Sequence, residues 1–162
     1  MNDNYAVING KKIELTEKQI KALGFEIRKN PFERSAKDEE YYCIKETGEI
    51  YSYYDNSSFD DWIYNNANYF NDENFARQVA LHQLLYRKLL KFAYENESED
   101  VEWNNRNGHW HIYYDTANNK FYIEANDAFK HQGVYFSTRQ CAERAIEEAI
   151  KPFIKEHPEF VW

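Results

Sequence analysis

Two histidines, His109 and His111, have the spacing in this chain that comes closest to a catalytic or metal-binding pattern. Side chains two positions apart on a β-strand lie on the same face of the sheet, and paired imidazoles are common zinc ligands. A metal site needs further ligands, and the sequence offers only His131 and distant acids. We therefore expect a packed or solvated histidine pair and predict no bound metal.

Carboxylates on a predicted hairpin are a second candidate. Asp115, Lys120 and Glu124 have a faint likeness to the site of restriction-type nucleases, where a strand acid and an acid-x-lysine hold a divalent cation and orient water. Ala125 and Asn126 follow Glu124, so that lysine is missing. The chain also lacks GxSxG, GxxxxGK[ST] and GxGxxG, and its 5 glycines in 162 residues leave little for phosphate-binding loops. These patterns predict a protein that is not an enzyme and needs no cofactor.

Acidic residues are concentrated in two segments of a chain whose net charge is −8. Residues 36–70 contain eight acidic and two basic side chains, and residues 96–127 contain seven and two. Carboxylates gathered on one surface could bind the basic cleft of a partner protein and compete with its nucleic acid, whereas ordinary solubility is the simpler interpretation. The predicted partner-binding acids are Asp38, Glu39, Glu40, Glu46, Glu49, Asp55, Asp60, Asp61, Glu97, Glu99, Asp100 and Glu102.

Basic residues on a predicted helix support an alternative function. A positively charged stripe could contact phosphates while exposed tyrosines stack on bases, as a nucleic-acid-binding protein would require. The net negative charge opposes this, because such a chain repels polyanions at long range. The residues of the stripe are Arg77, Arg87, Lys88 and Lys91.

Aromatic residues are in surplus, with 14 Tyr, 11 Phe and 4 Trp making up 18% of the chain. Aromatic side chains suit half-buried sheet faces, interfaces, or a pocket that binds a small signalling molecule, which is a further alternative function. Cys43 and Cys141 form no CxxC motif, and the first ten residues lack the basic start and apolar run of a secretory signal. We expect two free thiols, a cytoplasmic protein and no membrane span, and the sequence leaves the oligomeric state open.

The elements that position these residues define an α+β fold. Two short apolar runs around Asn9-Gly10 predict a β-hairpin, and Thr16 and Gln19 have the spacing of a capping box that starts a short helix ending at Gly24. We predict that residues 1–36 form an N-terminal hairpin-helix lobe. Residues 37–100 and 101–162 are then predicted to form two ββ(β)α units, with antiparallel sheets packed on a long central helix and an amphipathic C-terminal helix.

The two units show a similar order of elements. In each, a strand-turn-strand is followed by a third extended piece, predicted at residues 62–70 and 133–136, and then by a helix. Tyr69-Phe70 and Tyr135-Phe136 occupy matching positions, which predicts a strand-to-helix corner with one ring on the sheet and the next packed on the first helical turn. Apolar residues with a 3.6-residue period predict a first-unit helix of about 24 residues.

Six segments of the chain carry a resemblance to a known group of proteins: NPFER (30–34), YYCI (41–44), NYF (68–70), LLYRKLLKFAYEN (84–96), GVYF (133–136) and the final KPFIKEHPEFVW. They resemble small proteins commonly encoded in phages and prophages of Gram-positive bacteria. The resemblance spans nearly the whole chain, and it implies a phage accessory protein working in the bacterial host cytoplasm. Small, acidic, non-enzymatic proteins in that setting often inhibit host defence nucleases, as anti-CRISPR proteins do when they occupy a nucleic-acid channel. For the basic stripe, the same setting implies the alternative of a nucleic-acid-binding accessory in phage replication or recombination. The resemblance carries over no functional residue.

Overall fold

The fold is α+β, as the sequence predicts, and it is seen in a computed structural model that describes residues 5–8, 10–24, 30–96, 109–126 and 131–162. An N-terminal hairpin pairs β1 (Tyr5–Ile8) with β2 (Lys11–Glu14), and α1 (Glu17–Ala22) follows. Thr16 and Gln19 form the predicted capping box, since Thr16 N–H donates to Gln19 Oε1 at 2.9 Å. Gly10 and Gly24 take positive φ angles of 76° and 77°, which glycine adopts without strain. Asn9 lies outside the described residues.

The first unit contains one helix that the sequence analysis assigned to an extended piece. Strands β3 (Glu40–Ile44) and β4 (Ile50–Tyr54) form the predicted hairpin, and α2 (Ser58–Asn65) follows it directly. The predicted extended piece at 62–70 is therefore wrong for residues 62–65. Ser57 and Asp60 make a capping box, in which the Asp60 side chain accepts from the Ser57 N–H at 2.6 Å. This capping box starts a helix even though aromatic residues follow it in the sequence.

The long helix matches its prediction in length and position. Helix α3 (Glu73–Asn96) has 24 residues, and its N-terminus is capped by Asp72, whose Oδ1 accepts from the Phe75 N–H at 2.9 Å. Leu81 and Leu85 of α3 form one core cluster with the C-terminal helix, and Ala93 belongs to a second cluster around Phe136. The helix therefore contributes to the packing of the second unit along much of its length.

The second predicted unit also begins with an antiparallel hairpin, formed by β5 (His109–Asp115) and β6 (Lys120–Asn126). Helix α4 (Arg139–Ala145) is capped by Thr138, whose side chain accepts from the Cys141 N–H at 3.1 Å. The chain continues through a π-helical turn at Ile146–Ile150 into α5 (Lys151–Glu156). Pro152 lies at the start of α5, where a missing N–H is tolerated.

The predicted Tyr-Phe repeat is present as a repeated main-chain contact. Phe70 exchanges two hydrogen bonds with Tyr42 of β3, at 2.7 and 2.9 Å, and Phe136 exchanges two with Trp110 of β5, at 2.9 and 2.7 Å. Both phenylalanines are 1% exposed. Each hairpin thus has one extra residue on its first strand's free edge, and a helix begins three residues after it.

Candidate functional site

Asp60 is a buried carboxylate at the start of α2. Its Oδ1 accepts a hydrogen bond from the Tyr41 hydroxyl at 2.6 Å, and its Oδ2 accepts from the Asn56 N–H, the Ser57 N–H and the Ser57 hydroxyl. Burial raises the pKa of Asp60, but these hydrogen bonds outweigh burial and lower the pKa to about 2. The carboxylate is ionised at neutral pH and its oxygens already have partners.

Asp55 is the second buried carboxylate and is held by an arginine. Arg34 donates from Nε and Nη2 to the two Asp55 oxygens at 2.5 and 2.7 Å, and from Nη1 to Asp61 at 2.6 Å. Tyr69 donates its hydroxyl to Asp55 at 3.1 Å and accepts from the Ser35 N–H at 3.1 Å. The hydrogen bonds from Arg34 lower the pKa of Asp55. These contacts attach residues 34 and 35 to the first unit.

The position of these two residues corrects part of the predicted acidic surface. Asp55 is 6% exposed and Asp60 is 2% exposed, so neither carboxylate can contact a partner protein. Both serve internal hydrogen-bonding roles that composition alone cannot reveal. Asp61 is exposed but pairs with Arg34. Outside the described residues lie Glu97, Glu99, Asp100 and Glu102.

The other five predicted acids of the first unit are exposed, and they form two groups at opposite ends of the β3–β4 hairpin. Asp38, Glu39 and Glu40 lie at the open end, where Asp38 N–H donates to Asp55 O and Asp55 N–H donates to Glu39 O. Glu46 and Glu49 lie at the turn end. Five-residue strands with a rise of ~3.3 Å per residue separate the two groups by roughly 16 Å. The five exposed acids therefore lie in two groups, one at each end of one hairpin.

Three aromatic side chains on α2 and the neighbouring strand β4 contact one another, and we call Tyr53, Phe59 and Trp62 the α2 patch. Phe59 and Trp62 stack with ring centroids 6.0 Å apart, and Phe59 contacts Tyr53 edge-on at 6.0 Å. Tyr53 in turn packs on buried Tyr41, which anchors the patch to the core. Phe59 is 49% exposed and Trp62 is 61% exposed.

Trp62 falls in the extended piece predicted at residues 62–70, so the sequence pattern does not indicate the α2 patch. The Ser57-x-x-Asp60 capping box was the signal that could have found it, since it predicts a helix with Phe59 and Trp62 one turn apart. Ile63 and Asp60 are the buried residues of that helix. Phe59 and Trp62 consequently lie on its flank toward solvent.

The predicted basic stripe is on α3, and three of its four members have acidic partners. Arg77 pairs with Glu73 at 2.6 Å, Lys88 with Glu156 at 3.5 Å and Lys91 with Glu95 at 3.5 Å. All four side chains are exposed. Charges that pair along a helix face in this way are typical of an ordinary solvated surface.

His109 and His111 lie on the same face of β5, as predicted. The His111 ring is 6.0 Å from the His131 ring and 5.9 Å from the Tyr135 ring, centroid to centroid. His111 Nδ1 is buried without a hydrogen-bond partner. Across the part of the chain that the structure describes, no group of three or more His, Cys, Asp or Glu side chains could hold a metal ion. In the strand register, Asp115 lies opposite Lys120 at the end of the hairpin, and Glu124 lies opposite His111.

A pocket of about 330 Å³ lies between α3, β5 and the segments at 132–136 and 160–162. Its lining is mostly apolar or aromatic, with His82 and Gln132 as polar members. The remaining lining residues are Leu85, Tyr86, Leu89, Ile112, Val134, Phe136, Phe160 and Trp162. We call this the α3–β5 pocket.

Comparison with protein families, with curated proteins and with solved structures gives no match. Among the described residues, no helix is both long enough and apolar enough to cross a bilayer. The fold and the candidate sites therefore define the chain as an α+β protein with an exposed aromatic patch, two acidic hairpin ends and a pocket beside α3.

Proposed function

We propose that this protein is a phage-encoded accessory protein that works by binding another protein, and that the α2 patch with its flanking carboxylates is the docking surface. The observation that carries this proposal is the stacked Phe59–Trp62 pair, exposed on a helix that the core holds in place. Tryptophan and tyrosine dominate the binding energy of protein interfaces. Two rings already stacked in the free protein lose little conformational freedom on binding.

The charge around the patch selects the class of partner. Residues 36–70 contain eight acidic side chains, and five of the exposed ones are free of Arg34 and lie at the two hairpin ends. A protein that combines an exposed aromatic patch with exposed carboxylates of the same unit attracts a basic surface and repels an acidic one. We therefore propose a basic nucleic-acid-binding protein as the partner, with a host defence nuclease as the leading candidate and inhibition as the outcome.

The internal roles of Asp55 and Asp60 support a binding function over an enzymatic one. A general acid or base has a pKa near the working pH and contacts the reacting group. The pKa of Asp60 is about 2, and its oxygens accept hydrogen bonds from Tyr41, Asn56 and Ser57. Asp55 is held by Arg34 and Tyr69. These carboxylates organise the hairpin and α2 beneath the docking surface.

The test is affinity capture with the full chain and a matched pair of aromatic variants. Trp62→Ala removes the most exposed ring of the α2 patch, and Tyr94→Ala removes a 79% exposed ring from α3, outside the patch. We expect the wild-type chain to retain a basic nucleic-acid-binding protein from a Gram-positive bacterial lysate. Trp62→Ala should weaken its affinity at least about 10-fold, as a hot-spot residue does. Tyr94→Ala should leave the affinity unchanged.

Two further measurements distinguish this proposal from its alternative. Duplex DNA should compete with this protein for the captured partner, and reversing Asp38, Glu39 and Glu40 to lysine should reduce the association rate at low salt. The protein itself can be tested for a shift of DNA in a gel. If it binds DNA with a salt dependence that charge reversal of Arg87 and Lys88 abolishes, the nucleic-acid-binding function replaces the function proposed here. Equal capture by wild-type and Trp62→Ala protein would also overturn the proposed docking surface.

A further inference from the structure

The first unit shows how an amide group binds the free edge of its hairpin. Ile44 N–H donates to Asn68 Oδ1 at 2.9 Å, and Asn68 Nδ2 donates to Ile44 O at 2.8 Å. The side-chain carboxamide of Asn68 thus takes the place of a strand peptide beside Ile44. Asn68 lies two residues before Phe70, which pairs with Tyr42 on the same edge.

The second unit has the same edge without the amide. Trp110 exchanges main-chain hydrogen bonds with Phe136, so its N–H and C=O point away from β6. Because these groups alternate along a regular antiparallel strand, the N–H and C=O of Ile112 point to the same edge. Val134 is two residues before Phe136, where Asn68 is two before Phe70, and valine has no polar side-chain atom. Within the described residues, no protein group makes a hydrogen bond with the Ile112 N–H or the Ile112 C=O on this edge.

The α3–β5 pocket is located at this unsatisfied edge. Ile112, Val134 and Phe136 all line it, and its volume of about 330 Å³ is in the range of small-molecule sites. Phe160 and Trp162 provide aromatic wall, with ring centroids 6.1 Å apart. None of the residues lining the pocket is Lys, Arg, Asp or Glu, so the site favours an uncharged ligand.

We propose that the α3–β5 pocket binds a small, planar, uncharged ring that carries a cis amide, as a primary carboxamide or a lactam does. The ligand N–H donates to Ile112 O and its carbonyl accepts from Ile112 N–H, as the Asn68 amide does at Ile44. The ring packs against the aromatic wall, and Gln132 and His82 are available for its other polar atoms. An aromatic carboxamide and the lactam edge of a nucleobase share this chemistry. The site is independent of the docking surface on α2.

The test uses benzamide and uracil as probes of the two sources, with N,N-dimethylbenzamide as the control that lacks the N–H donor. Titrations are followed by the amide resonances of ¹⁵N-labelled wild-type protein. We expect benzamide or uracil to bind with a Kd of about 1 mM or below and to shift the Ile112 amide proton downfield. N,N-dimethylbenzamide should bind at least about 10-fold more weakly, because the Ile112 carbonyl stays unpaired. The tighter of the two probes identifies the source.

A variant pair tests the mechanism within the chain. Val134→Asn places a carboxamide where Asn68 lies in the first unit, so we expect it to occupy the Ile112 pair, raise the midpoint of urea unfolding and weaken probe binding at least about 10-fold. Val134→Ala changes the same side chain but leaves the edge open, so it should bind the probes at least about 10-fold more tightly than Val134→Asn. Equal binding of benzamide and its dimethyl derivative, or no shift at Ile112 with any probe, would overturn the proposal on the wild-type protein alone, whether or not Val134→Asn folds.

Discussion

Asp60 shows how one buried residue fixes the position of a functional surface. Its carboxylate caps the first turn of α2 by accepting hydrogen bonds from the Asn56 and Ser57 N–H groups. It also accepts a hydrogen bond from the hydroxyl of Tyr41 on β3. Tyr41 stacks on Tyr69 with ring centroids 4.0 Å apart. The orientation of α2, and therefore of Phe59 and Trp62, depends on this charge.

We predict that Asp60→Asn destabilises the protein by about 2–3 kcal/mol, because the amide nitrogen of asparagine faces donors and leaves buried N–H groups without acceptors. Asp61→Asn is the matched control, since the Asp61 side chain is 57% exposed and its ion pair with Arg34 contributes little to stability. Urea unfolding followed by far-UV circular dichroism measures both variants. Equal midpoints for the two would show that Asp60 does not organise α2.

At the scale of elements, the repeated corner is the main organising contact. Phe70 and Phe136 are buried to the same extent and exchange the same pair of hydrogen bonds with a neighbouring strand. Six residues after each, Ala76 and Ala142 have no exposed surface. Small side chains there let each helix pack closely behind its corner.

We predict that Phe70→Ala and Phe136→Ala each cost about 3–5 kcal/mol, through lost burial and the cavity left behind. Their costs should agree within about 1 kcal/mol because both rings are 1% exposed and both residues make the same pair of main-chain hydrogen bonds. Phe59→Ala is the control, and it should cost far less because Phe59 is 49% exposed. Urea denaturation at neutral pH provides the comparison. A large loss of stability at only one of the two corners would mean that the two corners contribute unequally to the free energy of unfolding.

Sequence patterns predicted the elements where one local signal was strong. The 3.6-residue period gave α3, and the shared Tyr-Phe gave the corners at Phe70 and Phe136. Helix α2 was missed because its eight residues are too few for periodicity to outweigh aromatic content. The burial of Asp55 and the unmatched edge of Ile112 depend on contacts between residues far apart in the chain, so no local pattern contains them.

For the whole molecule, buried ionisable groups set the pH range of stability. The folded-state pKa of Asp60 is lowered to about 2 and that of Asp55 is also lowered, so both stabilise the fold above their unfolded pKa of about 3.9. That stabilisation is lost as the pH falls through the folded-state values. At ~1.36 kcal/mol per pKa unit, Asp60 alone contributes about 2–3 kcal/mol.

The alkaline limit has the opposite sign. Burial raises the pKa of Cys43 and of Tyr41 and Tyr69, so these groups stabilise the fold while they are neutral, and their contribution falls as the pH rises above unfolded values of about 8.5 and 10. We predict a plateau of stability between about pH 4 and 8.5, measured as the urea midpoint across pH. Cys43→Val should move the start of the alkaline decline toward about pH 10, where tyrosines begin to ionise in the unfolded chain. A midpoint that keeps falling at pH 9 in this variant would contradict the assignment to Cys43.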